Sequence, residues 1–158
     1  MDSEELIKKV IDLAKENNVP LYVDPKGTEW EKYGLASLVT PNAKEAESIV
    51  GKKLVIDNDF ELAGKTICNS FNIGACLITR GSDGMSYISN NEIFHLKSEA
   101  KEIFDVSGAG DTVIAAIAAA LVIDSDSQKA VEFSNIAAGI VVGHIGTSAV
   151  TTQELLDI

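Results

Sequence analysis

The sequence predicts an α/β fold in which most strands run parallel and a hairpin forms an antiparallel edge. Short apolar runs alternate with longer segments of helical periodicity, which is typical of a parallel sheet with helical crossovers. Two further strand-like runs flank Asn90 and Asn91, as in a hairpin. The length of 158 residues fits one domain, and 46% hydrophobic residues exclude a disordered chain.

The predicted strands are short runs of apolar and β-branched residues that end in turn residues. Pro41 ends the second strand, and Gly81 and Gly84 lie in the turn after the third. The strands are expected at 21–23, 37–40, 75–79, 85–88 and 92–96.

The predicted helices combine apolar residues at helical spacing with start and stop signals. Gly51 is expected to close the second helix, and Asn58 or Asp59 to cap the third. Thr151 and Glu154 form a capping box for the last one. The first helix is expected to start at a Ser3 cap and to break at 17–20, the second to span 43–50, and two more to lie at about 109–123 and 127–143.

The charge balance restricts the partners of this chain. Asp and Glu number 24 against 13 Lys and Arg, which gives a net charge of −11. Nucleic acids and anionic membranes need a positive surface, so neither is expected as a partner. Cys68 and Cys76 predict small buried side chains in a reducing compartment. The N-terminus lacks the pattern of a signal peptide and the longest apolar run, 112–123, is short for a membrane span, so we expect a cytoplasmic protein.

Residues 104–111, which lead into an apolar helix, are the main candidates for a catalytic and anion-binding site. Asp111 is the only charged residue between Val106 and Ile123. Gly108, Ala109 and Gly110 have almost no side chains, so a phosphate can approach their backbone N–H groups at the start of the helix.

Asp111 would then lie beside the anion as a general base that takes a proton from an attacking hydroxyl. A branched residue at Gly110 would block the anion, and could demand a backbone angle that such residues avoid. The alternative is that Asp111 only caps the helix and the glycines only form a tight turn.

Two well-known phosphate-binding loops do not match this segment. No Gly-x-x-x-x-Gly-Lys-Ser/Thr occurs in the chain, which excludes a P-loop. The dinucleotide fingerprint needs a third small residue where this chain has Val113. A nicotinamide-binding oxidoreductase is the alternative that lacks its third small residue.

Residues 105–118 resemble the C-terminal signature of the ribokinase-like (PfkB) carbohydrate kinases, Asp-x-x-Gly-Ala-Gly-Asp at the start of a small-residue helix. The resemblance implies that Asp111 is the catalytic base and that Gly108, Ala109 and Gly110 form an anion hole. It also implies a three-layer ribokinase-like fold. Residues 1–158 would form a single domain, the C-terminal nucleotide-binding half of such a kinase, without the N-terminal sugar-binding half and its lid.

The resemblance extends to residues that would hold ATP, Mg²⁺ and a monovalent cation. Residues 40–45 are similar to the family's Asn-x-x-Glu motif, which implies that Asn42 and Glu45 hold the ATP phosphates and Mg²⁺, the latter at Glu45 through water. The remaining residues implied in ATP binding are Ala43, Lys44, Thr79, Gly81, Asn135 and Gly139. Asp105 and Ser107 are implied as ligands of a monovalent cation such as K⁺. Lys26 either reaches an anion or is a solvated loop lysine.

Residues 23–27, 42–47 and 143–147 resemble the heptose-7-phosphate kinases of ADP-heptose synthesis. This implies ATP-dependent phosphorylation of D-glycero-D-manno-heptose 7-phosphate, a precursor of the lipopolysaccharide core. The alternative is a catalytically incomplete nucleotide-binding or assembly module. Half a sheet exposes a strand edge and an apolar face, so we expect either a homo-oligomer or pairing with a chain that supplies the N-terminal half.

Overall fold

The computed structural model describes residues 3–100, 105–106, 108–124, 126–146 and 148–157, apart from the side chains of residues 3 and 4. The predicted α/β class is confirmed. Within the described residues, five strands form a sheet in the order β1-β2-β3-β4-β5, with β1 at Tyr22–Val23, β2 at Leu38–Val39, β3 at Ala75–Thr79, β4 at Met85–Ser89 and β5 at Ile93–Leu96. The helices are α1 (Ser3–Glu16), α2 (Ala43–Val50), α3 (Asp57–Phe71), α4 (Ala109–Ile123), α5 (Ser127–Val141) and α6 (Thr152–Leu156).

The sheet combines parallel and antiparallel pairing, as predicted. β1 pairs with β2 and β2 pairs with β3 in parallel, with Tyr22 opposite Leu38 and Val39 opposite Cys76. The connections 80–84 and 90–92 are too short for a parallel crossover, so β4 runs antiparallel to both β3 and β5.

The first compact unit comprises Met1–Thr79 and Ser86–Phe94. Its core contains the fully buried side chains of Trp30, Ile67 and Ile88. Cys68 and Cys76 are buried in the same core, which confirms their predicted packing role. Burial raises the pKa of the Cys68 thiol to about 11 and that of Cys76 well above its usual range, so neither forms a thiolate readily.

The second compact unit comprises Arg80–Met85 and His95–Ile158. In it α4 packs against α5, and Ile117 and Val131 are fully buried. The capping box of α6 is confirmed, because Thr151 N donates to Glu154 Oε2 at 2.8 Å and Glu154 N donates to Thr151 Oγ1 at 3.3 Å. Among the described residues, no helix has the length and apolar character that crossing a bilayer requires. The single domain expected over 1–158 stays a prediction.

The start of α3 differs from its prediction. The helix begins at Asp57, and neither Asn58 nor Asp59 occupies the N-cap position. Asp59 lies in the first turn, where its Oδ2 accepts from the backbone N–H groups of Val55 and Ile56 at 3.1 and 3.2 Å. The hydrogen bond from Lys52, helped by these two, lowers the pKa of Asp59 to about 2. The carboxylate that the sequence offered as an N-cap therefore lies inside the helix and accepts from backbone N–H groups that precede it.

Three other elements, two strands and one helix, are shorter than predicted. The first two strands contain two residues each. Helix α5 ends at Val141 rather than at 143, because Gly143 N and His144 N bond to the carbonyls of Ile140 and Val141 in a tightened final turn.

Gly64 in α3 lies directly against Ile88 in β4, and this contact gives a stability prediction. A Cβ at Gly64 would lie 2.7 Å from Cβ and Cγ1 of Ile88. We expect Gly64→Ala to lower the free energy of unfolding by about 1–3 kcal/mol, the usual cost of overpacking. The matched control is Gly110→Ala in α4, where a Cβ meets no atom of a described residue within 4 Å. It should preserve or slightly raise stability in the same urea titration, because alanine favours helix more than glycine. Equal effects of the two changes would contradict this account.

Candidate functional site

Three of the strand ends in the first unit meet at one edge of the sheet. Asp24 follows β1, Asn42 follows β2 and Thr79 ends β3. Because these strands are parallel neighbours, their carboxyl ends lie at the same edge, which is where ligands bind in α/β sheets. A parallel bridge joins Asn42 to Thr79, and Thr79 N donates to the carbonyl of Pro41 at 2.9 Å.

Helix α2 begins at this edge with a capping box. Asn42 Oδ1 accepts from Glu45 N at 3.0 Å, and Glu45 Oε2 accepts from Asn42 N at 2.8 Å. Gly51 closes the helix with φ +68°, as predicted. The structure therefore brings together five of the residues predicted to bind ATP, which are Asn42, Ala43, Lys44, Glu45 and Thr79.

Sequence reasoning did not place Asp24 and Lys26 in this site. Lys26 Nζ lies 2.8 Å from Asp24 Oδ2 and 3.5 Å from Glu45 Oε1. The hydrogen bond to Asp24, together with the charges of both carboxylates, raises the pKa of Lys26. The signal that could have found them is the turn 24–27, which directly follows a strand predicted to lie in the same parallel sheet as the strand before Asn42.

In the second unit Gly108 is the N-cap residue of α4 and has φ +80°. Thr112 donates to the Gly108 carbonyl through both its backbone N and its Oγ1, each at 2.9 Å. Asp111 is the third residue of the helix and is exposed. The interpretation of Asp111 as only an N-cap is therefore wrong, because Gly108 holds that position.

Among the described residues, none fills the space at Gly110 in the first turn of α4. Gly110 is helical, and a Cβ built on it would meet no described atom within 4 Å. Gly108, and not Gly110, has the positive φ angle that branched residues avoid. An exposed carboxylate next to a helix N-terminus without bulky side chains can accept a proton while N–H groups hold an anion.

Asp105 is tied to the chain after α5. Its Oδ2 accepts from Gly146 N at 3.2 Å, and its backbone N donates to the carbonyl of Val142 at 3.2 Å. Gly146 has φ +78°. Ser107, the other residue predicted to bind a monovalent cation, lies outside the described residues, so this pair stays a prediction.

Three further predicted residues lie in the second unit. Gly81 is exposed at the start of a short 3₁₀ turn with φ +62°. Asn135 is buried in α5, where its Nδ2 donates to the carbonyl of Lys97 at 2.7 Å. At Gly139 a Cβ would lie 3.0 Å from the carbonyl carbon of Glu99. Asn135 and Gly139 thus hold the backbone of residues 97–100 against α5, and their role in ATP binding stays a prediction.

The first unit offers carboxylates that suit Mg²⁺. Within the described ranges no group of three or more His, Cys, Asp or Glu residues is arranged to hold a metal. Mg²⁺ in kinases usually takes one or two carboxylates and completes its shell with water and substrate phosphates. Glu45 with the neighbouring Asp24 meets that requirement.

Comparison with known proteins agrees with these features. A family model for the pfkB family carbohydrate kinases matches residues 1–154. The bifunctional protein HldE of Pasteurella multocida is 45% identical over 152 residues, covering 94% of this chain and 31% of the relative. HldE of Vibrio cholerae is 43% identical over 156 residues, covering 97% of this chain and 32% of the relative.

Solved structures share the fold at lower identity. Escherichia coli phosphofructokinase-2, in complex with potassium, aligns with a TM-score of 0.87 at 21% identity over 99% of this chain and 52% of the other. Arabidopsis thaliana ribokinase, complexed with ribose and ATP, aligns with a TM-score of 0.87 at 22% identity over 98% and 52%. The fold is thus ribokinase-like, as the sequence resemblance implied.

The chain spans about a third of the length of these curated relatives and about half of these structural neighbours. The family model nevertheless covers nearly all of it, including the Gly108–Asp111 turn. This chain therefore belongs to the pfkB family of carbohydrate kinases.

Proposed function

We propose that this chain is the nucleotide-binding part of a kinase that transfers the γ-phosphoryl group of ATP to a hydroxyl of D-glycero-D-manno-heptose 7-phosphate. The observation that carries the proposal is the start of α4, where exposed Asp111 follows the left-handed turn at Gly108. The 45% identity to HldE supports the choice of a heptose phosphate.

In this proposal Asp111 accepts the proton of the sugar hydroxyl as its oxygen attacks the γ-phosphorus. The bond between that phosphorus and the β,γ-bridging oxygen breaks, and ADP leaves. The backbone N–H groups of Gly108, Ala109 and Gly110 stabilise negative charge on the transferred group. The open space at Gly110 supports this role, because no described side chain fills it.

The residues at the carboxyl edge of β1–β3 would bind the phosphates and the metal. Asn42 and Lys44 are exposed there, while the capping box fixes the orientation of Glu45. Mg²⁺ bound at Glu45 through water would neutralise charge on the phosphates. Asp105, held by Gly146 N, would contribute to a K⁺ site in the second unit.

A second function is a nucleotide-binding module that does not complete phosphoryl transfer, and the match to about half of each structural neighbour favours it. The two functions differ in one measurement. Both predict Mg-ATP binding by the purified chain, but only the first predicts transfer when the chain replaces the matching 152-residue segment of Pasteurella multocida HldE. Binding of NAD without ATP would contradict both.

The role of Asp111 is tested in that chimaera with Asp111→Asn. Phosphorylation of the heptose phosphate should fall on the order of 10²–10⁴-fold, the usual effect of losing a general base. Mg-ATP affinity should stay nearly unchanged, because the side chain keeps its shape and loses a charge near the phosphates. Asp124→Asn, at the opposite end of α4, is the matched control and should have full activity. Intact transfer by Asp111→Asn would show that another group is the base.

The anion hole is tested with the series Gly110→Ala and Gly110→Val. Neither side chain meets a described atom within 4 Å at its Cβ, so the fold should tolerate both. We expect valine to weaken ATP binding and transfer together because it occupies the space of the anion, and alanine to have a smaller effect. Calorimetric titration with Mg-ATP measures the binding. Unchanged ATP affinity with valine in a folded protein would refute the anion hole.

The outer stripe of α1, formed by Leu6, Val10 and Leu13, supports a proposal on assembly. These residues recur at helical spacing and are 49%, 46% and 61% exposed, whereas Ile7 and Ile11 pack toward the core. We propose that a chain supplying the rest of the kinase covers this stripe, and that two copies associate through it when no such chain is present.

Leu13→Ser should therefore shift the isolated chain toward the monomer in light scattering at high concentration. Val55→Ser is the matched control, because Val55 is 75% exposed but lies outside the stripe. A wild-type chain that is already fully monomeric would contradict the proposal, and so would equal effects of the two variants.

A further inference from the structure

Lys26 is placed at the proposed phosphate site by a turn with little freedom. Pro25 is fully buried, and Tyr33 Oη both accepts from Lys26 N at 3.2 Å and donates to the Lys26 carbonyl at 3.3 Å. Trp30 Nε1 donates to the carbonyl of Gly27 at 2.9 Å. Because Trp30 and Tyr33 are both buried, they anchor this turn to the core of the first unit.

The ammonium group of Lys26 lies between two carboxylates at the carboxyl edge of β1 and β2. Its distances are 2.8 Å to Asp24 Oδ2 and 3.5 Å to Glu45 Oε1. Glu45 cannot turn away freely, since its second oxygen accepts from Asn42 N at 2.8 Å. The turn and the capping box therefore hold a positive group directly beside the residues proposed to bind the ATP phosphates.

The position of Lys26 matters for nucleotide binding because the charge around it is negative. The chain has a net charge of −11, and Asp24 and Glu45 add two negative charges at the edge where a polyphosphate would bind. An ammonium has three N–H donors, so two carboxylates leave one for another acceptor. The Lys26 side chain is 68% exposed, and lysine often binds phosphate as a point charge on a flexible stem.

We propose that Lys26 contacts the terminal phosphates of the bound nucleotide and offsets the charges of Asp24 and Glu45 against them. This inference rests on the proposed function, because it assumes that the Asn42–Glu45 turn binds polyphosphate. It adds a residue outside the Asn-x-x-Glu motif. It also predicts that recognition at this edge depends on the number of phosphates.

The test is titration of the full 158-residue chain, in Mg²⁺ buffer, with ATP, ADP and AMP. Lys26→Gln should weaken ATP binding about 10- to 100-fold, the range for losing a charged hydrogen bond. ADP should lose less affinity and AMP less than about twofold, because a contact to terminal phosphates is progressively absent from them. Lys26→Arg, which keeps the charge, should recover part of the ATP affinity.

Lys52→Gln is the matched control, because Lys52 is similarly exposed and pairs with Asp59 beyond the opposite end of α2. It should leave all three affinities unchanged. A loss of AMP affinity equal to that of ATP in Lys26→Gln would indicate a purely structural role, and an equal loss in Lys52→Gln would indicate a general charge effect. Either result would overturn the inference.

Two outcomes separate this inference from the proposed function. If the wild-type chain binds ATP and Lys26→Gln binds it equally well, the role of Lys26 is wrong and nucleotide binding stands. If the wild-type chain binds none of the three nucleotides, nucleotide binding by this chain is wrong, and the role of Lys26 is refuted with it.

Discussion

Parallel pairing of β1 with β2 and of β2 with β3 is the constraint on which the site in the first unit depends. Antiparallel pairing would put the residue after one strand at the opposite edge from the residue after its neighbour. The parallel arrangement instead brings Asp24, Asn42 and Thr79 to one edge. The bridge between Asn42 and Thr79 continues the pairing beyond β2. Backbone pairing therefore positions the start of α2 at this edge without the help of a side chain.

The starts of α2 and α4 differ in a way that suits different chemistry. α2 is closed by its own side chains, because Asn42 and Glu45 satisfy each other's backbone N–H groups. The N-cap residue of α4 is Gly108, and among the described residues no side chain caps this helix or fills the space at Gly110. A closed start presents a fixed carboxylate, which suits a cation, whereas an open start leaves N–H groups for an anion. In the proposed function these are the metal and the transferred phosphoryl group.

Local charge matters because the chain as a whole repels its proposed ligand. A net charge of −11 disfavours a nucleoside triphosphate at long range. Attraction must then come from groups at short range, such as Lys26, Lys44 and the N–H groups of a helix start. Such short-range groups let an acidic protein bind an anion without becoming attractive to nucleic acids.

The sequence by itself determined the features that are encoded within a few residues. The bounds of α2, α4 and β3 and the capping box of α6 follow from periodicity, turn glycines and N-cap side chains, and the structure confirms them. The Gly-Ala-Gly-Asp motif likewise indicated the family from adjacent residues, because a helix start is a local structure. The N-cap of α3 was wrongly predicted, because Asp is as common at N-cap positions as in the first helical turn, where Asp59 lies.

Only the tertiary structure decided which distant residues meet. Lys26 contacts Glu45 across 19 positions, Asn135 bonds to Lys97 across 38, and Gly146 bonds to Asp105 across 41. Nothing in the neighbouring residues specifies these contacts, because they depend on how β1 pairs with β2 and how α5 packs against the chain before α4. For the same reason the sequence left open whether Lys26 reaches an anion or is a solvated loop lysine, whereas the fold holds it between two carboxylates.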